Sequence, residues 1–508
     1  MYSTPARIAV VVARTAGIAA VALAVACAWS PAAVRAQGFE QGPQQALGPL
    51  YREAPGAQRA PTRPQHEMSP RGMVRHWNEM AIDASGLDHT PVAAGEARVY
   101  GEQLGPARAS RAMAIVHIAV FEAVNAVMGR HRSYVGLPEA APGTSLEVAI
   151  AQAAHDTLAA LFPSQQAQFA AQLAQDLAAV RSARAKDLGI ALGQRAAAAI
   201  LALRAHDGSA HAEPRFGVDY APSPGPGKWR QDPVSMGPLA LGARWDEVVP
   251  FVMAGSAQFR APPPPALDSA AYAQAYAEVK AVGGDGVTTP TGRNVEQATI
   301  GLFWAYDGMP SLCAPPRLYN QIAMQIAMHR GSDVAELARL LALVNTAMAD
   351  AAIAVWESKY HYELWRPVTG IREDDGNPMT SADPSFTPLG APASNLTGPN
   401  FTPPFPAYPS GHAGFGGALF QTLRRYYGTD AIAFTFVSDE FNGITQDHDG
   451  NVRPRIARSF RTLSDAEEEN GQSRIYLGIH WAFDKTEGIA QGRRVADLVF
   501  DTAFLPLH

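Results

Sequence analysis

Apolar residues along this chain recur mainly with the period of an α-helix. In the first clear segment they share one helical face, at Met73, Val74, Trp77, Met80 and Ala81. Intervals of three and four residues are typical of an amphipathic helix, whereas a half-buried strand alternates every second residue. Segments that alternate in this way are few, so the pattern predicts a mainly α protein.

Capping signals set approximate bounds for the predicted helices. Ser110 is a suitable start for one helix and Gly129 a suitable end. A capping box, Thr144-x-x-Glu147, would begin another helix that ends near Pro163. The remaining helices are predicted at about 164–205, 268–282, 295–306, 317–329, 332–365, 412–427 and 465–505.

We expect these helices to form two packed bundles, at residues 69–206 and 269–508, joined by a connection at 207–268. Glycine, proline and aromatic residues dominate the connection, so little regular structure is expected there. Large aromatic residues tend to be buried, which favours an ordered segment over a disordered linker. The residues concerned are Trp229, Trp245, Phe251 and Phe259.

The N-terminus has the features of a secretory signal peptide. Arg7 precedes a mostly apolar run at 8–29, and Val34-Arg35-Ala36 is a plausible cleavage site, so residues 1–36 are predicted to be removed. A flexible lead-in would follow at 37–68. The alternatives are a retained membrane anchor and lipidation at Cys27. No later segment has an unbroken apolar run long enough to cross a bilayer. The mature protein is expected to be soluble and either secreted or periplasmic.

Composition excludes some classes of partner and of site. The chain has 508 residues, of which 47% are hydrophobic and 17% charged, so it can bury a large core. A net charge of −6 gives no indication of a nucleic-acid partner. If Cys27 leaves with the signal peptide, Cys313 is the one remaining cysteine, which rules out a disulfide within the chain and a multi-cysteine metal site. A monomer or a homodimer is expected.

Two cations lie near the end of the predicted helix 332–365. Lys359 and Arg366 are seven residues apart, nearly two helical turns, so both are expected to project from one face. Pro367 disfavours helix at the residue before it, which puts Arg366 at or just past the helix end. Two long cationic side chains at this spacing can hold a tetrahedral anion between them. A solvated basic surface is the alternative.

The segment Pro409-Ser410-Gly411-His412 lies where a proline-rich loop ends and an apolar helix begins. The first N–H groups of a helix lack partners within it, so this position suits an anion. Ser410 offers a hydroxyl, Gly411 an unobstructed backbone N–H, and His412 can act as an acid or a base. An ordinary loop-to-helix junction has the same local sequence.

A third segment adds one more cation and a histidine–carboxylate pair. Arg474 is followed by His480 and Asp484, which are four residues apart and would be neighbours on a helix face. A carboxylate in that position can select one tautomer of the ring and leave the other nitrogen as a nucleophile or a metal ligand. A surface ion pair is the alternative.

Taken in order, the three segments are Lys-x6-Arg-Pro, Pro-Ser-Gly-His and Ser-Arg-x5-His-x3-Asp. The combination resembles the signature shared by type 2 phosphatidic acid phosphatases, bacterial class A acid phosphatases and vanadium-dependent haloperoxidases. Over about 295–485 the chain is more similar to the chloroperoxidase branch. Its similar runs are Phe303-Trp-Ala-Tyr-Asp-Gly, Pro315-Pro-Arg-Leu-Tyr-Asn-Gln, Phe405-Pro-Ala-Tyr-Pro-Ser-Gly-His and Arg474-Ile-Tyr-Leu-Gly-Ile-His-Trp.

The resemblance implies a role for each of these residues. It implies a vanadate cofactor bound by Lys359, Arg366, Ser410, Gly411, His412, Arg474 and His480. His480 would be the axial vanadium ligand, with Asp484 behind it. His412 would act as the acid–base, and Lys359 would also take part in catalysis. Asp307 would pair with an arginine of the site, and Trp356 and Phe405 would line the halide side.

The implied reaction is oxidation of chloride, bromide or iodide by hydrogen peroxide to a hypohalous species that halogenates a small organic substrate. Two alternatives stay open. An exported phosphohydrolase would use His480 as nucleophile and His412 as general acid, because phosphate and vanadate are nearly isosteric. A non-catalytic oxyanion-binding protein would need neither histidine.

Overall fold

The structure, a computed structural model, describes residues 42–54 and 67–507. The predicted signal peptide and most of the predicted lead-in therefore lie outside the described residues. Within them, helices account for most of the regular structure, as the apolar period predicted. In the first half they are α1 (Pro43–Leu47), α2 (Pro70–Asp88), α3 (Gly105–Met128), α4 (Leu146–Leu161), α5 (Gln166–Ala179) and α6 (Ala183–Arg204). In the second half they are α7 (Ala270–Val282), α8 (Val295–Phe303), α9 (Pro315–His329), α10 (Val334–Tyr362), α11 (Pro367–Arg372), α12 (Gly411–Tyr427), α13 (Leu463–Tyr476) and α14 (Ala482–Thr502).

Four short strands form two antiparallel pairs in the described part of the chain. Strand β1 (Arg52–Glu53) pairs with β2 (Leu396–Thr397), and β3 (Phe434–Val437) pairs with β4 (Ala457–Phe460). The first pair joins the start of the described chain to a loop more than 300 residues later.

Residues 42–54 of the predicted lead-in are folded, which differs from the flexible segment expected there. Tyr51 is fully buried, and its hydroxyl donates to the carbonyl of Pro399 at 2.8 Å. With helix α1 and the pairing of β1, this contact packs the segment against the second half of the chain. Composition did not indicate it, because the contacts that order the segment come from residues near 396–401.

Helix α10 lies at the centre of the molecule. It packs against α3 of the first group of helices and against α12 and α14 of the second. Nearly every side chain from Ala335 to Lys359 is buried. A helix that is apolar all round belongs in a core, and this one joins the two groups of helices into one hydrophobic core.

Helices α3 and α10 are both long and apolar enough to cross a membrane. The expectation that no segment after the N-terminus has this property was therefore wrong. In the most apolar window of α3, 83% of the residues are buried inside the protein, and in that of α10 all are. Both are core helices of the folded protein.

Two predicted helix starts were wrong by a few residues. Helix α3 begins at Gly105, and Ser110 lies inside it, where its Oγ donates to the carbonyl of Ala107. Helix α4 is capped by Ser145, one residue after the predicted cap, and its side chain accepts from the N–H of Val148. Several polar residues near the start of a helix can each cap it, so the local sequence does not select one of them.

Two predicted helices are each two helices in the structure: 164–205 contains α5 and α6, and 465–505 contains α13 and α14 with a break at 477–481. Gly478 adopts φ +72°, and a Cβ there would lie 2.4 Å from the carbonyl oxygen of Gly283. Glycine allows both the positive φ and the close approach of the two backbones. The break carries His480 out of the helix, which matters for the site.

The connection at 207–268 is ordered, as its aromatic residues predicted. Trp229, Trp245 and Phe251 are buried, and Phe259 is half-buried. The carboxylate of Asp350, fully buried in α10, accepts from the backbone N–H groups of residues 251, 252 and 253 at 2.6–2.9 Å. Those three hydrogen bonds attach the connection to the central helix.

Candidate active site

The three segments singled out in the sequence meet where α12 begins. Ser410 is the N-cap residue of α12, and Gly411 and His412 form its first turn. The backbone N–H of Ser410 donates to the carbonyl of Asp484 at 3.0 Å. This bond joins the second segment to the third at the end of α12 that carries the positive partial charge of the helix dipole.

Lys359 lies in the last turn of α10 with its ammonium group fully buried. Its Nζ donates to the carbonyls of Pro406 and Ala407 at 2.8 and 2.9 Å. An ammonium group has three protons to donate, so one remains for a ligand. Burial, reinforced by the nearby Arg366, lowers the pKa of Lys359 well below its usual range. A bound anion would reverse that shift.

Arg366 is the N-cap residue of α11, as the proline after it predicted. The prediction that it shares a helix face with Lys359 was wrong, because α10 ends at Tyr362 and Glu363 turns the chain with φ +55°. The guanidinium group is held by the carbonyls of Phe405 and Ile479, each at 2.9 Å. Burial lowers the pKa of Arg366 to about 9.

His480 lies in the break between α13 and α14, whereas the sequence placed it on a helix. Its Nδ1 lies 2.8 Å from Oδ2 of Asp484, in the first turn of α14. Its Nε2 lies 2.9 Å from Nη1 of Arg366. An arginine can only donate, so Nε2 accepts and Nδ1 carries the proton. Burial, together with Arg366 and Lys359, lowers the pKa of His480 well below its usual range, which favours the same neutral ring.

Asp484 is fully buried and also accepts from the backbone N–H of Trp481 at 3.0 Å. Burial raises the pKa of Asp484 to about 7. The carboxyl group therefore orients the ring of His480 and keeps the proton on Nδ1, so that Nε2 is the acceptor that faces Arg366.

On the other side of the site, Nη2 of Arg474 forms an ion pair of 2.6 Å with Oδ1 of Asp307. The structure thus brings together an aspartate and an arginine that are 167 residues apart. Nε and Nη1 of Arg474 are buried without a hydrogen-bond partner among the described residues. Buried donors in that condition are unusual in folded proteins and indicate a site for an acceptor.

His412 lies next to Arg474 with a neutral ring. Its Nε2 donates to the carbonyl of Ala305 at 2.6 Å, which leaves Nδ1 as an acceptor. Burial and then the charge of Arg474 lower the pKa of His412 well below its usual range. A ring held in this way can receive a proton once an anion reduces the local positive charge.

Trp356 and Phe405 form an aromatic wall beside the cations, with ring centroids 4.9 Å apart. Lys359 Nζ and the guanidinium carbon of Arg366 lie 5.1 and 5.0 Å from the centroid of Phe405. Both rings therefore face the positive groups at cation–π distance. Gly411 packs against the indole, so the wall also touches the start of α12.

Seven of the predicted residues line one cavity: Asp307, Trp356, Phe405, Gly411, His412, Arg474 and His480. The others lie behind these. Lys359 and Arg366 contact the ring of Phe405, Arg366 and Asp484 hold His480, and Ser410 caps α12. His361, close in sequence, is exposed and contacts Tyr362.

Sequence reasoning missed the wall that the first half of the chain contributes. His89, Tyr100 and Leu104 line the cavity, as do Leu47 of α1 and Leu241 of the connection. His89 accepts from the N–H of Gly105 and contacts the carbonyl of Ser85, so both ring nitrogens are occupied. No motif in the sequence points to these residues. Each has the local sequence of a core residue, and only the packing of the two halves places it beside the cavity.

The donor set suits a tetrahedral oxyanion. Three buried cations, Lys359, Arg366 and Arg474, outnumber the two buried carboxyl groups, Asp307 and Asp484. The unpartnered nitrogens of Arg474, which can only donate, point to the same need. Among residues 42–54 and 67–507, no group of three His, Cys, Asp or Glu side chains could hold a bare cation.

The chain is similar to proteins of known family. Residues 339–506 match the model of the VCPO second helical-bundle domain family. The chain is 43% identical over 266 residues to vanadium chloroperoxidase of Curvularia inaequalis, an alignment that covers 45% of this chain and 43% of that protein. The chain thus spans less than half the length of this relative.

Solved structures extend the likeness to most of the chain. A bacterial vanadium-dependent iodoperoxidase superposes with a TM-score of 0.68 at 25% identity, covering 88% of this chain and 99% of that one. A bacterial vanadium-dependent chloroperoxidase in its apo form has a TM-score of 0.59 at 18% identity, covering 78% and 94%. At that identity the second likeness shows the fold alone.

Proposed function

We propose that this chain is a vanadium-dependent haloperoxidase, which binds vanadate and uses hydrogen peroxide to oxidise halide. The observation that carries the proposal is the state of His480, a buried neutral ring whose Nε2 accepts from Arg366 in a site that also holds Lys359 and Arg474. A non-catalytic anion site would gain nothing from a histidine held in one tautomer. The reaction consumes peroxide, halide and one proton, and it yields hypohalous acid and water.

The residues present suit vanadate. Nε2 of His480 would ligate the vanadium, and Lys359, Arg366 and Arg474 would neutralise the charge of its oxygens. Ser410 and the N–H of Gly411 would donate hydrogen bonds from the start of α12. When bound, vanadate supplies Lewis-acid polarisation of peroxide without changing its oxidation state.

His412 would move the protons. As a neutral ring it can accept a proton from peroxide at Nδ1 and later return it to the departing oxygen. Arg474, fixed by Asp307, would raise the acidity of the peroxide by its charge. Trp356 and Phe405 would exclude water on the side where halide approaches, so that a weakly hydrated halide can attack one peroxide oxygen.

A paired assay tests the proposal against the phosphohydrolase alternative. The purified protein is loaded with vanadate, and oxidation of chloride, bromide and iodide by peroxide is followed with a halogenation reporter. The vanadate-free protein is tested in parallel for release of phosphate from an aryl phosphate. We expect halide oxidation that requires vanadate. Phosphate release without any halide oxidation would overturn the proposal and favour His480 as a nucleophile.

We also propose that the protein is exported and that residues 1–36 are removed. The support is the sequence pattern alone, namely Arg7, the apolar run at 8–29 and the small residues around Ala36. Fractionation of the producing cells and N-terminal sequencing of the product test this. A cytoplasmic protein that begins at Met1 would contradict it. We further propose that the protein is a monomer or a homodimer, and light scattering distinguishes between the two.

A further inference from the structure

The backbone that follows α8 holds two groups of the site at once. Nε2 of His412 donates to the carbonyl of Ala305 at 2.6 Å. Two residues later in the chain, Oδ1 of Asp307 pairs with Nη2 of Arg474 at 2.6 Å. The direction of this short segment therefore sets both the orientation of the histidine ring and the position of the arginine.

Tyr306, between these two contacts, has an unusual backbone conformation. Its φ is +47°, in the left-handed region that bulky side chains rarely adopt. The side chain is fully buried, so the conformation belongs to the packed interior and not to a surface loop. Such conformations persist only where the surrounding structure imposes them, and they cluster at active sites. The groups that hold Tyr306 are therefore the groups that place its two neighbours.

The short turn after β3 holds Tyr306 at both ends. The backbone N–H of Tyr306 donates to Oε1 of Glu440 at 3.2 Å. Its hydroxyl accepts from the backbone N–H of Asp439 at 2.6 Å. The same turn also fixes the end of α8, because Oγ of Ser438 donates to the carbonyl of Phe303 at 2.6 Å. Two consecutive residues of one turn thus grip the backbone and the ring of one tyrosine.

Glu440 is the charged member of this turn, and its side chain is fully buried. Its Oε2 accepts from Nη1 of Arg453 at 2.7 Å and from Oγ of Ser394 at 2.6 Å, which leaves Oε1 for the N–H of Tyr306. A buried ion pair stabilises a protein little more than apolar side chains of the same volume would. What the pair adds here is an acceptor in a fixed position.

We propose that Glu440, paired with Arg453, is a positioning residue of the active site that acts through Tyr306. It fixes the left-handed backbone there, and so it aims the neighbouring carbonyl and carboxylate at His412 and Arg474. The inference rests on the proposed function, in which those two residues act on peroxide and on the oxygens of vanadate. The aromatic wall on the halide side is built from α10 and the loop before α12, so it does not depend on this turn.

Glu440→Ala tests the inference in two ways. Titration calorimetry with vanadate should show an affinity about tenfold lower, the lower end of the loss expected when a group that orients a ligand is removed. Steady-state kinetics of the vanadate-loaded enzyme should show a higher KM for peroxide and an unchanged KM for bromide. Glu440→Gln keeps an oxygen that can accept from Tyr306, so its vanadate affinity should lie between those of the parent protein and the alanine variant.

Glu122→Ala is the matched control. Glu122 is also fully buried and also accepts from a backbone N–H, that of Tyr134, but it lies in α3 and does not line the cavity. This variant should have a lower thermal midpoint and unchanged values of vanadate affinity and both KM. If Glu440→Ala does not fold, Tyr306→Phe removes the hydroxyl contact with Asp439 instead, and it should shift vanadate affinity and peroxide KM in the same directions.

The outcomes separate this inference from the proposed function. Unchanged vanadate affinity in Glu440→Ala and Tyr306→Phe, a bromide KM that rises together with the peroxide KM, or equal effects in Glu122→Ala would overturn it. If the parent protein binds vanadate but never oxidises halide, the proposed function fails, and the vanadate titrations alone decide whether Glu440 positions the site. If the parent protein does not bind vanadate, both proposals fail.

Discussion

Arg366 and His480 lie in contact, with Nη1 of the arginine 2.9 Å from Nε2 of the histidine. The arginine can only donate, so the contact shows that Nε2 carries a lone pair while Asp484 holds the proton on Nδ1. A cation next to an unprotonated ring nitrogen keeps that nitrogen from taking up a proton. To ligate a metal centre, Nε2 would exchange this hydrogen bond for the metal, and Arg366 could then neutralise the oxygens of the bound group.

His480→Ala should abolish measurable vanadate binding, because it removes the nitrogen available to ligate vanadium. Loss of a ligand should weaken binding at least as much as the loss of a residue that orients one, which is about 10- to 100-fold. Titration calorimetry with vanadate measures the effect. His361→Ala is the matched control, since that ring is exposed and lies outside the cavity. Equal losses in both variants would count against the ligand assignment.

Asp484→Ala should weaken vanadate binding about 10- to 100-fold, because the ring of His480 loses the acceptor that orients it. Asp484→Asn keeps an oxygen that can accept from Nδ1, so this variant should lose less vanadate affinity than Asp484→Ala. Vanadate titrations of the two variants and the parent protein give the comparison. An alanine variant with unchanged affinity would show that Asp484 does not position the ring.

Gly242→Ala should raise the halide KM. Gly242 adopts φ +77°, and a Cβ there would lie 2.3 Å from Cδ1 and Nε1 of the Trp356 indole. The indole would have to move and give up its hydrogen bond to the carbonyl of Leu241. Steady-state kinetics with bromide, together with the thermal midpoint, measure the effect.

Gly225→Ala is the control for that substitution. It lies in the same connection with φ +94°, and it has nothing within 4 Å of the added Cβ. Both variants carry the strain of alanine at positive φ, about 1–2 kcal/mol, so both should be less stable. Only Gly242→Ala should change KM, and a similar KM change in Gly225→Ala would mean that backbone strain, not the indole, is responsible.

His117→Met should reduce the loss of stability at acid pH. His117 is buried in α3 with neither ring nitrogen hydrogen-bonded within the described residues, and burial lowers its pKa to about 3. The unfolded chain takes up this proton near pH 6.5 and the folded chain does not, so stability falls as pH drops below 6.5. Between pH 6.5 and 5 the loss is about 2 kcal/mol.

Thermal midpoints at pH 7 and pH 5 measure this effect. Between pH 7 and pH 5 the thermal midpoint of the parent protein should fall further than that of His117→Met. His361→Met, a substitution at an exposed histidine, should behave like the parent protein. If all three proteins lose stability equally, His117 does not contribute to the acid sensitivity.

The sequence by itself determined the helices and the identity of the motif residues. Both follow from local signals. The apolar period located the helical regions of the described chain, although 164–205 and 465–505 each contain two helices, and Pro367 placed Arg366 at a helix boundary. The three motifs named the oxyanion residues because backbone N–H groups, cations and histidines are the groups that such a ligand requires.

Only the tertiary structure decided how these residues meet. His480 leaves the helix because Gly478 crosses closely over Gly283, and Arg366 approaches it from a separate helix rather than from the face of Lys359. The cavity is completed by Leu47 and other residues of the first half of the chain, whose helix α3 packs onto α10. Periodicity and capping describe neighbours within one element. Contacts between residues more than a hundred positions apart depend on how whole elements pack, which no local pattern encodes.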